Sequence, residues 1–158
     1  MNEEPIDCLT VFYDPNCGLC RTFRSWLEEQ PLWVAVRFVG YDSPEALRLM
    51  PEIGSLGADK ECVVLAGDGH WWQGPDAWLV CLWATKAHRL RAHDLASPRF
   101  RPFLRRIVHG ISQHRLSLSK LLGLRSERQI EAEVAEFNCP EGSCRLPTLR
   151  TAKEGVGA

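Results

Sequence analysis

Near its start, the chain places a cysteine pair between a strand-forming segment and a helix-forming segment. Residues 6–13 (IDCLTVFY) are rich in strand-favouring side chains and end at the turn sequence Asp14-Pro15-Asn16. The next apolar residues recur with the spacing of one helical face: Leu19, Phe23, Trp26 and Leu27. We predict a helix that is capped by Asn16 and bounded by Pro31. Cys17 and Cys20 then lie at the start of that helix, directly after a strand.

Later patterns predict that the chain continues as an α/β domain. Strands are expected over residues 33–39 and 61–66, and the turn Gly67-Asp68-Gly69 predicts a hairpin back over residues 70–73. Ser43 is the expected cap of a short helix, and a strongly apolar helix is expected from Pro75 to about His88. This order of strands and helices fits a mixed four-stranded sheet with packed helices, the thioredoxin-like arrangement.

The last third of the chain is predicted to be a helical extension. Six apolar residues form one helical stripe: Phe100, Phe103, Leu104, Ile107, Val108 and Ile111. Ser126 is a candidate cap for a further helix over residues 127–137. We therefore predict a core over residues 1–97, a helical extension over residues 98–150 packed on the same domain, and a disordered tail over residues 151–158.

The net charge of −1 is a cancellation between two oppositely charged regions. Residues 1–85 carry a net charge of −8, whereas residues 86–128 carry a net charge of +9. No apolar run approaches the roughly 20 residues that a membrane-spanning helix needs, and the first residues are acidic, unlike those of a secretory signal. These features predict a cytoplasmic protein, in which paired cysteines more often serve metal binding or redox chemistry than structural disulfides.

The position of Cys17 at a helix start indicates thiol chemistry. Unpaired backbone N–H groups and the positive end of the helix dipole stabilise a thiolate there and lower its pKa. Cys20 lies one helical turn further on, within reach of the first sulfur. Cys17 would attack a substrate disulfide and Cys20 would resolve the mixed disulfide, with Cys17 expected to be the more exposed of the two. Zinc binding and chemically inert cysteines are the alternatives for the same motif.

The sequence YDPNCGLC resembles the signature of the DCC family of thiol-disulfide oxidoreductases, within the thioredoxin-like superfamily. The Asp and the two Cys of that signature correspond to Asp14, Cys17 and Cys20. The ECVVL strand with its Gly-Asp-Gly turn, the Asp76-Ala77 helix start and the Cys144-Arg145-Leu146-Pro147 segment are also similar. Pro15 stands where the family usually has glycine, and no proline precedes the ECVVL strand, where thioredoxins place one against the sulfurs.

The resemblance implies a redox role for Asp14 in addition to that of the cysteines. As a carboxylate near the pair, Asp14 could accept the proton of Cys20, or it could form the turn by bonding backbone N–H groups. The resemblance favours the first role. The predicted activity is dithiol–disulfide exchange with a protein or small-molecule partner, and it needs no bound cofactor.

Two alternatives belong to other functional classes. Cys139 and Cys144 could join Cys17 and Cys20 in a four-thiolate zinc site, giving a zinc-stabilised binding module with the basic helix as its contact surface. Alternatively, the chain could be a family member that acts by binding a partner and not by turnover. Three further cysteines are expected to be small core residues: Cys8, Cys62 and Cys81.

The basic stretch has a structural and a binding interpretation. Its apolar stripe could cover the sheet while its arginines meet the acidic first part of the chain, or residues 98–115 could contact an anionic membrane surface. The first interpretation is favoured, because a core helix needs the same stripe. Nucleic acid is not an expected partner, since no recognisable binding motif is present. The oligomeric state is not predicted.

Overall fold

The computed structural model describes residues 6–136. The elements in this range are, in chain order, β1 (Cys8–Tyr13), α1 (Gly18–Glu28), β2 (Ala35–Gly40), α2 (Pro44–Leu49), β3 (Val63–Ala66), β4 (Trp71–Gln73), α3 (Pro75–Ala84), α4 (Arg89–Leu95), α5 (Arg101–Leu121) and α6 (Glu127–Glu136). The sheet order is β2-β1-β3-β4, with β2 parallel and β3 antiparallel to β1. The predicted mixed four-stranded, thioredoxin-like α/β fold is confirmed.

The sheet is covered on both faces, as the apolar strands predicted. Alternate residues of β1 point to opposite sides, so that Val11 packs with α1 and α3, whereas Phe12 packs with α2 and the following turns. Both side chains are buried. Because β1 is a central strand, its carboxyl end at Tyr13 brings the cysteine-bearing turn to the middle of one edge of the sheet.

The apolar helix after the hairpin is shorter than predicted. It ends at Ala84, not near His88, because Thr85 adopts an extended backbone and forms an isolated β-bridge with Leu32. The Thr85 hydroxyl donates a hydrogen bond to the Leu82 carbonyl and accepts one from the His88 N–H. A buried threonine that satisfies the helix end in this way interrupts the helix, and α4 begins separately.

The apolar stripe of α5 is only partly covered, so the favoured interpretation was wrong for half of it. Val108 is buried and α5 packs against α1 and α3, but Phe103 is 64% exposed, and Phe100 and Ile107 are exposed as well. Arg101 does meet the acidic part of the chain, through an ion pair with Asp76. Contact of this region with a membrane or a nucleic acid stays untested.

Ser126 begins α6, as predicted. Its hydroxyl accepts a hydrogen bond from the Gln129 N–H at 3.3 Å, and the Gln129 side chain accepts one from the Ser126 N–H at 2.8 Å. This reciprocal arrangement is a capping box. The division into a core, an extension and a tail stays a prediction, and the proposed tail lies outside the described residues.

Candidate active site

Cys17 is the N-cap residue of α1. Its backbone is extended, and its sulfur accepts a hydrogen bond from the Cys20 N–H at 3.2 Å. The Cys17 N–H in turn donates to the Asp14 carbonyl at 3.0 Å, which closes the turn after β1. Asn16 was the predicted cap, and this was wrong by one residue. At a helix start, the oxygen of a capping side chain usually accepts a backbone N–H, and here the Cys17 sulfur takes that role.

The two sulfurs have opposite tendencies to ionise. Hydrogen bonding from Cys20 lowers the pKa of Cys17 to about 6, against the opposing effect of burial, and the charge of Arg115 contributes in the same direction as the hydrogen bonds. The hydrogen bond to Cys17, together with burial, raises the pKa of Cys20. The arrangement therefore favours the thiolate on Cys17 and the proton on Cys20.

The exposure of the two cysteines is the reverse of the expected order. Cys17 has no exposed surface, whereas Cys20 is half-buried and lines a cavity of about 40 Å³. The cavity wall is mainly apolar and includes Phe23, Trp78 and Ile111. A volume of this size holds water molecules but not a substrate side chain. Cys17 does not line this cavity, so the more acidic of the two thiols is the buried one.

Asp14 and Arg115 form a nearly buried ion pair beside the cysteines. Arg115 Nη2 donates to Asp14 Oδ2 at 2.8 Å, and the exposed fractions of the two side chains are 11% and 6%. The other carboxylate oxygen accepts the Asn16 N–H at 2.9 Å. Asp14 thus has the turn-forming role that the sequence allowed. Arg115 Nη1 also lies 3.6 Å from Cys20 Sγ, which links the carboxylate to the cysteine pair.

Ser119 is a second contribution of α5 to the site. Its buried hydroxyl oxygen accepts the Leu19 N–H at 2.9 Å and lies 3.9 Å from Cys17 Sγ. It therefore satisfies one of the free N–H groups at the start of α1 and helps to hold the thiolate at Cys17.

Sequence reasoning missed both Arg115 and Ser119. They were treated only as part of a basic helix, although they continue the face of Val108 and Ile111 at helical spacing. A polar residue on an otherwise inward-facing stripe was the signal that could have identified them. Their distance along the chain from Cys17 hid the contact itself.

The cysteines outside the pair differ in burial. Cys81 is buried and Cys62 is half-buried against the same core cluster, as predicted. Cys8 is exposed, so its prediction as a core residue was wrong; it is the first residue of β1 and lies against Gly67. Cys139 and Cys144 lie outside the described residues. Within residues 6–136, no group of three or more His, Cys, Asp or Glu side chains is arranged to hold a metal ion.

Comparison with known proteins identifies the family. A family model described as DCC1-like thiol-disulfide oxidoreductase matches residues 11–121, more than two thirds of the chain. The chain belongs to this family. The DCC1-like match includes the last three residues of β1, the cysteine pair and all of α5, so it supports a redox function and confirms the resemblance seen in YDPNCGLC.

Other comparisons add no relative to the DCC1-like family match. No curated protein and no solved structure matches the chain. Across the part of the chain that is described, none of the helices has the length and apolar character needed to cross a bilayer. The cytoplasmic location remains a prediction.

Proposed function

We propose that this protein catalyses thiol–disulfide exchange through Cys17 and Cys20, with disulfide or dithiol groups of proteins or small molecules as substrates. The observation that carries the proposal is the position of Cys17 at the start of α1, where its sulfur accepts the Cys20 N–H at 3.2 Å. Hydrogen bonding from Cys20 and the charge of Arg115 lower the pKa of this thiol to about 6. A thiolate at neutral pH is the nucleophilic form, and structural cysteines in apolar surroundings do not ionise in this way.

The exchange transfers two electrons from the cysteine pair to the substrate. The Cys17 thiolate attacks one sulfur of a substrate disulfide, and the substrate's other sulfur leaves as a thiolate that takes up a proton. Cys20 then loses its proton and attacks Cys17 Sγ in the mixed disulfide. This step forms the Cys17–Cys20 disulfide and releases the second substrate thiol. The reverse sequence oxidises a substrate dithiol.

In this proposal Asp14 assists the second step. Arg115 is hydrogen-bonded to Asp14 and lies against Cys20, so its guanidinium bridges the carboxylate and the thiol that must lose its proton. Once Cys17 is part of a mixed disulfide, its negative charge is gone and Cys20 no longer donates to a thiolate. Asp14 accepts the Cys20 proton at this stage, as a general base.

The test uses glutathione disulfide as a model substrate, followed by rapid alkylation and mapping of the disulfides by mass spectrometry. The wild type is expected to form a Cys17–Cys20 disulfide. Cys20→Ser is expected to stop at a mixed disulfide on Cys17, whereas Cys17→Ser is expected to react far more slowly. Cys8→Ser is the matched control, because Cys8 is exposed but lies outside the site. Mixed disulfides on Cys8 alone would show that the pair is not the exchanging site.

Asp14 is tested through the second step alone. Asp14→Asn is expected to accumulate the glutathione mixed disulfide on Cys17, because the loss of the Cys20 proton is slowed. An equal slowing of both steps would contradict a role in proton transfer and would indicate a structural role for Asp14.

A further inference from the structure

The backbone around Cys17 is covered by the segment that follows α5. Gly18 packs so closely against the Leu124 carbonyl that a Cβ at residue 18 would lie 2.4 Å from the carbonyl oxygen. Cys17 lies next to this contact, and the Ser119 hydroxyl lies 3.9 Å from its sulfur. The Cys17 side chain is completely buried. We call residues 122–136, which contain this turn and α6, the clasp. The family match ends at residue 121, so the clasp lies beyond the matched region.

The first residues of α6 hold the clasp to both sides of the cysteine turn. Glu127 accepts hydrogen bonds from the Tyr13 hydroxyl and, at 3.0 Å, from Arg24 Nη1. Arg128 forms an ion pair with Asp42, which lies just beyond β2. These anchors therefore connect the clasp to the end of β1, to α1 and to the segment after β2.

These anchors are polar and partly exposed. The exposed fractions are 29% and 28% for the Arg24 and Glu127 side chains, and 52% and 33% for those of Arg128 and Asp42. Ion pairs of this kind each contribute little to stability in water and are weakened by salt. The charged part of the attachment is therefore weak, and salt or substitution can remove it.

We propose that the clasp regulates access to Cys17: docked, it covers the thiolate, and released, it admits the substrate disulfide. This inference rests on the proposed function, because it concerns the nucleophile of the same site. It accounts for a proposed nucleophile, Cys17, that has no exposed surface. The expected trigger is any anion, cation or substrate surface that competes for the charges of Glu127 and Arg128.

The test measures how fast iodoacetamide alkylates Cys17 in the full chain, with the modified residue located by mass spectrometry. The variant Glu127→Gln/Arg128→Gln removes the charged anchors without changing the net charge. Its control, Arg125→Gln/Glu133→Gln, removes an ion pair whose two partners both belong to the clasp. We expect the first variant to react about threefold to tenfold faster at high pH, and the control to match the wild type.

The pH profile separates access from thiolate chemistry. Release of the clasp raises the limiting rate at high pH and leaves the midpoint unchanged, whereas a changed pKa of Cys17 would move the midpoint. A salt series on the wild type gives a second measurement that needs no substitution. Raising NaCl from about 20 mM to about 0.5 M is expected to increase the wild-type limiting rate and to leave the anchor variant unchanged.

The results distinguish this inference from the proposed function. The proposal that the clasp regulates access to Cys17 would be overturned by two results together. These are equal limiting rates in the anchor variant, the control and the wild type, and no effect of salt on the wild type. If glutathione disulfide nevertheless forms the Cys17–Cys20 disulfide, the proposed function stands without it. If no such disulfide forms, the proposed exchange is wrong, while a faster alkylation of the anchor variant would still support the clasp as a cover.

Discussion

Arg115 connects Asp14 to Cys20 across the interface between α5 and the cysteine turn. One guanidinium nitrogen donates to the carboxylate at 2.8 Å, and the other lies 3.6 Å from the Cys20 sulfur. A single side chain thus neutralises a nearly buried carboxylate and adds positive charge next to the thiols. Asp14 is therefore held in a defined position relative to the cysteine pair by a residue from another part of the chain.

Replacing Arg115 by methionine is expected to destabilise the reduced protein by about 3–5 kcal/mol, because Asp14 would be left buried without its partner. Urea unfolding at neutral pH measures this loss. Arg125→Met is the matched control, since Arg125 forms an exposed ion pair with Glu133, and it is expected to cost about 0–1 kcal/mol. Similar losses in the two variants would contradict the buried pair as a source of stability.

The stability of the reduced protein is expected to rise between pH about 6 and about 8.5. The pKa of Cys17 is lowered to about 6 in the folded chain, whereas an unfolded thiol titrates near 8.5. In this window the unfolded state binds more protons, so the free energy of unfolding increases with pH, and the gain is lost as the pH falls through 6. Above the window the raised pKa of Cys20 acts in the opposite direction.

Denaturant unfolding of the wild type and of Cys17→Ser across this pH range provides the measurement. The free energy of unfolding should rise with pH in the wild type and should not rise in the variant. A rise of equal size in both proteins would assign it to other groups and would contradict the lowered pKa.

Ser119→Ala is expected to cost about 1–3 kcal/mol and to raise the pKa of Cys17. The substitution leaves the Leu19 N–H without its acceptor and removes a hydroxyl near the thiolate. Ser117→Ala is the control on the same helix, because Ser117 is exposed, and its effect should stay within about 0.5 kcal/mol. Denaturant unfolding and the ultraviolet absorbance of the thiolate give the two readouts. An unchanged pKa would limit Ser119 to a structural role.

Gly18→Ala is expected to destabilise the protein by about 1–3 kcal/mol, although alanine is the better helix former. The added methyl group would overlap the Leu124 carbonyl, which is backbone and cannot rotate away. Gly110→Ala tests the opposite case, because nothing lies within 4 Å of the added carbon. It should stabilise α5 by about 0.5–1 kcal/mol. Thermal unfolding of both variants measures the two changes in stability. Changes of the same sign would contradict the predicted difference between the two glycines.

The local parts of the fold could be predicted because local patterns determine them. The alternation and turn signals around β3 and β4, and the cap at Ser43, depend on residues a few positions apart. The end of α3 could not be predicted in this way. It depends on the pairing of Thr85 with Leu32, which lies far away along the chain, and tertiary pairing overrode a helical pattern.

The same distinction applies to the site. Cys17, Cys20 and Asp14 were identified because they are close together in sequence and precede a helix. Arg115 and Ser119 come from α5, about a hundred residues later, and only the packing of α5 on α1 brings them to the cysteines. Their inward position on the helix was visible in the sequence, but the surface that they face was not.

The late position of Arg115 and Ser119 has a consequence for the newly made protein. During synthesis the cysteine turn leaves the ribosome long before α5, because 95 residues separate Cys20 from Arg115 and 102 separate Cys17 from Ser119. Until α5 docks, Cys17 lacks these two contributions to its thiolate. The nascent chain thus has a less acidic Cys17 thiol, and full acidity develops only after α5 has docked. The docking of α5 therefore increases the acidity of Cys17 in the same step that places Ser119 and Arg115 beside the cysteines.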